Sequence, residues 1–240
     1  MNVAFHDCCA PLTFTNDING AHMAAAVRFE ARLRPRYRLL AESEDGWFEL
    51  FPGTQPVVLT APHATAATRH GRLRGPDTGT GWLSYLLHRL TGAHLLVTTH
   101  ASPSDPNFYD DNAFKARLTT LLEQVKPKMV LDLHGSHFSR PFDVDLGTMH
   151  GEALLGRTHL LDSLRAHLNA EGVNRLSDNF FPAARNATVT RWVAHHGVPC
   201  VQVEVQSTWI NPARDRIRAH RAARLAQGLS RYIRSLNVSD

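Results

Sequence analysis

The stretch Pro56-Val57-Val58-Leu59-Thr60-Ala61, followed at once by Pro62-His63, decides how the 240-residue chain is read. It is apolar on both faces and ends at a proline, as central strands of α/β sheets do, and a loop able to carry catalytic groups follows it. Working outward, Thr80 to Leu90 places Leu83, Leu86, Leu87 and Leu90 at helical spacing, and Gly92 stops that helix before a second strand, Leu95-Leu96-Val97. Asn112 to Val125 repeats the unit: Phe114, Leu118, Leu121, Leu122 and Val125 form one stripe, and Lys126-Pro127 breaks the helix ahead of the strand Met129-Val130-Leu131-Asp132-Leu133. Leu154 to Leu168 reads as helical, Val189 to His196 as a short helix ended by Gly197, Cys200 to Val205 as a strand and Ala213 to Leu236 as a long last helix. This alternation predicts an α/β fold: a mixed, largely parallel sheet with helices on both faces and a ligand site at the carboxyl ends of its strands.

A hydrophobic content of 43% is enough to bury a core without disulfides or metal staples. Residues 51–240 are expected to form a single catalytic α/β domain, with residues 1–50 as an N-terminal extension or edge element. No apolar run is long enough to span a membrane, and His6, Asp7 and Asp17 break the layout of a signal peptide, so a soluble, cytoplasmic protein is expected. Three cysteines, Cys8, Cys9 and Cys200, suit a reducing compartment, and Cys200 inside Val198-Pro199-Cys200-Val201 reads as a core residue rather than a nucleophile. Net charge is only +4, with a pI of about 9.2. Much of the excess lies in the last helix, where Arg214, Arg216, Arg218, Arg221, Arg224, Arg231 and Arg234 flank an apolar stripe of Ile217, Leu225, Leu229 and Ile233. That is the solvated face of a helix packed on the sheet, and it argues against nucleic acid or a membrane as partner.

Ionisable residues fall at three strand ends: His63, His134 within Asp132-Leu133-His134-Gly135-Ser136-His137, and Glu204 within Val201-Gln202-Val203-Glu204-Val205. A carboxylate in an apolar strand is costly to bury unless it is paired, hydrogen-bonded or near a metal. A catalytic zinc takes three nitrogen or oxygen ligands and keeps a position open, so a third ligand and a separate carboxylate base are needed. Asp77, in the loop Arg74-Gly75-Pro76-Asp77-Thr78-Gly79-Thr80, is the third candidate, and its alternative role is to cap the following helix.

Taken in order, Pro62-His63, Asp77-Thr78-Gly79-Thr80, Asp105-Pro106-Asn107, Asp132-Leu133-His134-Gly135 and Gln202-Val203-Glu204 resemble the motifs of the N-formylglutamate amidohydrolases, a branch of the zinc carboxypeptidase-like hydrolases. The resemblance spans roughly Pro56 to Pro212 and implies a phosphorylase/hydrolase-like, zinc carboxypeptidase-like fold. It implies His63, Asp77 and His134 as ligands of Zn2+ and Glu204 as general base, although the His-x-x-Glu spacing of carboxypeptidases is absent because residue 66 is Ala66. The implied substrate is a small N-acyl amino acid or short peptide, hydrolysed at a linear amide. A peptidase, another deacylase or a non-catalytic binding protein of the same fold are the alternatives. A serine hydrolase would need a Gly-x-Ser-x-Gly elbow, which the sequence lacks. Substrate-contact candidates are Asn107, Arg185, Asn186, Arg191 and His137; turn formation accounts equally for Asn107, and capping of the next helix for Asn186. Asp132 is positioned to hydrogen-bond a ligand histidine.

Overall fold

A computed structural model describes residues 18–43 and 45–237; Cys8 and Cys9, with His6, Asp7 and Asp17, lie outside the described residues. Elements follow the order α1 (Gly20–Leu33), β1 (Phe48–Phe51), β2 (Gln55–Ala61), β3 (Ala67–Arg69), β4 (Arg72–Arg74), α2 (Thr80–Thr91), β5 (Ala93–Thr98), α3 (Ala113–Val125) and β6 (Met129–Ser136). They continue as β7 (Val144–Gly147), α4 (Thr158–Ala170), β8 (Leu176–Asp178), α5 (Val189–His195), β9 (Cys200–Gln206) and α6 (Arg216–Ser235).

Seven strands form one sheet in the order β1-β5-β2-β6-β9-β7-β8. The centre, β5-β2-β6-β9, is parallel, while β1 joins β5 and β7 joins β9 antiparallel, so the sheet is mixed and largely parallel. From β2 the chain goes first to β5 on one side and then to β6 on the other. The carboxyl ends of β2 and β6 therefore flank the point where strand order reverses, the place where open α/β sheets bind ligands.

Alternation along the strands decides which face carries what. On one face Leu59, Leu131, Leu133, Val201 and Val203 join residues of α1, α2, α4 and α6 in the larger core. On the other, Val58, Val130 and Cys200 pack against Phe114, Leu118, Leu121, Val189 and Val193 of α3 and α5. Farther along that same face the residues turn polar: Thr60 on β2, Asp132 and His134 on β6, Gln202 and Glu204 on β9, in register as Thr60↔Asp132, Asp132↔Gln202 and His134↔Glu204.

Local chemistry sets the element ends and corrects several expectations. β6 runs past Leu133 to Ser136, so His134 sits inside the strand. The helix expected from Leu154 begins only at Thr158, because Leu155 and Gly156 take left-handed backbone conformations that close a short 3-10 segment. The last helix starts at Arg216 rather than Ala213, capped by Asp215, whose Oδ1 accepts the Arg218 N–H at 2.8 Å. Ile217, assigned to its buried stripe, is 68% exposed in that first turn, whereas Leu225, Leu229 and Ile233 are fully buried. Its arginine face stays largely exposed, as expected, and three of the arginines also reach the protein: Arg231 pairs with Glu171, Arg234 donates to the Leu90 carbonyl at 2.8 Å and Arg221 lies over Trp209. Strands β1, β3, β4, β7 and β8 are too short to register as hydrophobic runs. Among the described residues no helix is long and apolar enough to cross a membrane.

Cys200 is wholly buried under α5, its Sγ 3.5 Å from Thr190 Oγ1, and burial pushes its thiol well above the ordinary range. Peptide mapping after alkylation should therefore find Cys200 unmodified in the native protein and modified after denaturation. Alkylation of the native thiol would contradict the packing.

Candidate metal centre

His63 leaves the end of β2, and the chain makes an excursion through the β3–β4 hairpin before returning beside it: the Asp77 N–H donates to the His63 carbonyl at 2.8 Å. The Asp77 carbonyl in turn accepts from the Thr80 N–H at 3.1 Å and Thr80 Oγ1 at 2.9 Å, so the residue is clamped between a strand end and the start of α2. The alternative of Asp77 as the helix cap does not hold, since Gly79 occupies the N-cap of α2 and no side chain caps it. Gly135 leaves the space for this return, because a Cβ there would come within 3.2 Å of the Asp77 Cβ.

The result is a triangle. His63 Nδ1 and His134 Nδ1 face one oxygen of Asp77, at 3.4 and 3.2 Å, and donor atoms of the three residues all lie within 4.8 Å of one another. The opposite nitrogen of each imidazole is held by a second carboxylate. His63 Nε2 donates to Asp105 Oδ1 at 2.8 Å, and His134 Nε2 donates to Asp132 Oδ2 at 3.1 Å. Asp132 itself accepts from Thr60 Oγ1 at 2.7 Å, and Asp105 accepts from the Asn107 N–H at 2.8 Å and from Arg69. Such partners fix the ring orientation and leave Nδ1 of each histidine directed at the centre.

Charge follows from this arrangement. Burial opposes a proton on His63, yet Asp105 and Asp77 outweigh it and raise its pKa to about 9. His134 is likewise held well above its ordinary value by Asp132 and Asp77 against the penalty of burial. The two imidazoles hold Asp77 well below the usual carboxylate range despite its burial. Burial pushes Glu204 the other way, up to about 8. Its only hydrogen bond is from Gln202 Nε2 at 3.3 Å, among the described residues.

His63, Asp77, His134, Gln202 and Glu204 line one pocket of about 380 Å³, with His137, Arg140, Phe181, Arg185, Asn186 and Asn107 around it. Asn107 is buried and its Oδ1 accepts the Val189 N–H at 2.7 Å, so it fastens the start of α5 while bordering the pocket. Arg185 and Asn186 sit on the exposed rim loop before α5. Asn186 does not cap that helix; Thr188 does, accepting the Arg191 N–H at 3.1 Å. Arg191 is exposed on α5 and is not part of the pocket wall. Arg140, which no strand-end reading selects, lies over the Phe181 ring at 5.1 Å. Asp105 was visible only as part of an Asp-Pro-Asn turn; its link to His63 spans 42 positions and has no local signal.

Two imidazole nitrogens and a carboxylate oxygen around an accessible pocket, each histidine backed by a carboxylate, match the donor chemistry of a catalytic zinc. No family model matches the chain, and no curated protein matches it by sequence. Among solved structures it is similar to N-formylglutamate amidohydrolase from Ralstonia eutropha, with a TM-score of 0.60 and 18% identity over 80% of this chain and 99% of that one. It is also similar to a bacteriophage poly-gamma-glutamate hydrolase (TM-score 0.52, 17% identity, 82% and 91% covered). A gene product of Agrobacterium tumefaciens has a TM-score of 0.55 at 14% identity, with 84% and 98% covered. At these identities the likeness is one of fold, and at that level it agrees with the resemblance read from the motifs.

Asp105→Asn keeps the size of the side chain and removes the charge behind His63. It should weaken the binding of an added divalent metal by roughly 10–100-fold in a chelator competition, the usual cost of losing a partner behind a ligand; unchanged affinity would mean that Asp105 serves only Arg69 and the turn.

Proposed function

We propose that the chain is a zinc-dependent amidohydrolase cleaving the linear amide of an N-acyl amino acid of the N-formylglutamate kind. In this reading His63, Asp77 and His134 hold the metal and Glu204 is the general base. The observation that carries it is the convergence of His63, Asp77 and His134 at the strand-order reversal, with Glu204 opposite His134 on the next strand and lining the same pocket. The fold adds support, since two similar structures are named for hydrolysis of glutamate derivatives.

A zinc ion there supplies Lewis acidity toward the scissile carbonyl and toward water. The chain's own groups do the rest. Glu204, which lines the pocket and takes one hydrogen bond from Gln202, is placed to accept a proton from water and return it to the departing nitrogen. Asp105 and Asp132 keep the two imidazoles in one orientation throughout. Arg140 and Arg185 line the pocket and form no ion pair among the described residues, so each is free to hold a substrate carboxylate. Arg140 is the better placed of the two, because its guanidinium lies over the Phe181 ring at 5.1 Å.

Purified protein should contain about one zinc per chain and hydrolyse members of a panel of N-acyl amino acids. Absence of both zinc and turnover after metal loading would sink the reading and favour a binding protein. Glu204→Gln should keep its metal while kcat falls by roughly 10²–10⁴, the range for loss of a general base. Arg140→Gln should raise KM for N-acyl glutamate by roughly tenfold or more, as expected for losing one charge-assisted hydrogen bond, with little change for the corresponding uncharged amide. Equal losses on both would place Arg140 outside substrate recognition.

A further inference from the structure

We infer that Glu30, on the N-terminal helix α1, is a positioning residue of the metal centre: it anchors the turn that delivers Asp77, so metal affinity depends on a residue touching neither metal nor substrate. The inference rests on the proposed metal-binding role of His63, Asp77 and His134.

Glu30 is 5% exposed, an unusual setting for a carboxylate. Its oxygens are directed at the beginning of α2. Oε1 accepts the Gly79 N–H at 3.0 Å, Oε2 accepts the Trp82 N–H at 2.9 Å, and the Tyr37 hydroxyl donates to Oε1 as well. The first N–H groups of a helix lack partners within it and are normally met by the side chain at the N-cap. Gly79 holds that position in α2 and has no side chain to offer, so the acceptor comes from α1. A negative charge at that end is also favoured by the helix dipole.

The local sequence is shaped to admit this carboxylate. Gly79 has φ +105°, and a Cβ on it would lie 2.2 Å from the Ile210 carbonyl oxygen. A Cβ on Gly81 would lie 2.8 Å from Glu30 Oε2 and 2.5 Å from Leu33 Cδ1. A side chain at Gly79 would collide with backbone and displace the turn, and one at Gly81 would push aside the Glu30 carboxylate and the Leu33 side chain. The turn is therefore held at both ends: at Asp77 by the His63 carbonyl, and at Gly79 by Glu30. Without Glu30 two buried N–H groups lose their acceptor, and Asp77 is no longer fixed at 3.2–3.4 Å from the two imidazoles.

The test compares zinc affinity, by chelator competition, with melting temperature and the visible spectrum of the cobalt-substituted protein. The variants are Glu30→Ala, the milder Glu30→Gln, and Met23→Ala, which thins the packing of the same helix two turns away. The expected result is zinc affinity down roughly 10–100-fold in Glu30→Ala, a smaller loss in Glu30→Gln and an altered cobalt spectrum in both. Met23→Ala should melt earlier with zinc affinity unchanged. Should Glu30→Ala fail to fold, Glu30→Gln decides. Wild-type zinc affinity in a folded Glu30 variant overturns the inference, as does an equal loss of affinity in Met23→Ala at a matching loss of melting temperature. A wild-type protein that binds no zinc overturns the metal centre itself, an outcome distinct from either.

Discussion

One oxygen of Asp77 faces two imidazoles, and the rest of the site is arranged around that shared contact. Burying so many charged or chargeable groups at the end of a central sheet is tolerable only if each is compensated. Here compensation runs in a chain: Arg69 to Asp105, Asp105 to His63, His63 to Asp77, Asp77 to His134, His134 to Asp132. Opposite signs alternate along it while both imidazoles are protonated. Exchange of those protons for a divalent cation keeps the same alternation, which is why a metal fits the cluster electrostatically as well as in its donor set.

The sheet separates stability from chemistry by position along one face. Near the amino ends Val58, Val130 and Cys200 are sealed under α3 and α5; two or four residues later the same face presents Thr60, Asp132, His134, Gln202 and Glu204. The helices cover the first part together with Thr60 and Asp132, which stay buried, and leave His134, Gln202 and Glu204 to the pocket. Because successive side chains alternate, the larger core on the opposite face continues uninterrupted beneath the site, so the polar cluster rests on Leu133 and Val203 rather than on a gap in the packing.

The rim is made differently. The loop before α5 that carries Arg185 is tied down where it meets the core: Lys115 Nζ donates to the Ala187 carbonyl at 2.6 Å, and Thr188 Oγ1 donates to that of Ala183 at 2.7 Å. Between those anchors Arg185 and Asn186 are exposed. The His63, Asp77 and His134 cluster is thus fixed in the sheet, while the side chains above it stand on a tethered but solvated rim.

The strands and helices bordering the site were legible in the sequence because each carries its own hydrophobic period: β2, β5, β6, β9, α2, α3 and α5 follow from runs and stripes that no distant contact needs to supply. His63, His134 and Glu204 were legible for a related reason, as polar residues interrupting or ending buried strands. The period of two likewise puts Asp132 with His134, and Gln202 with Glu204, on one face. Asp105 behind His63, Glu30 beneath Gly79 and Arg140 over Phe181 belong to another category. Their partners lie 42, 49 and 41 positions away, on elements whose meeting depends on sheet order and helix packing. Sequence by itself determined the α/β layering and the strand ends where charge had to be compensated, since burial and periodicity are local properties. Which charges compensate one another was decided only by the tertiary structure, because hydrogen bonds depend on distance in space, and spacing along the chain does not encode it.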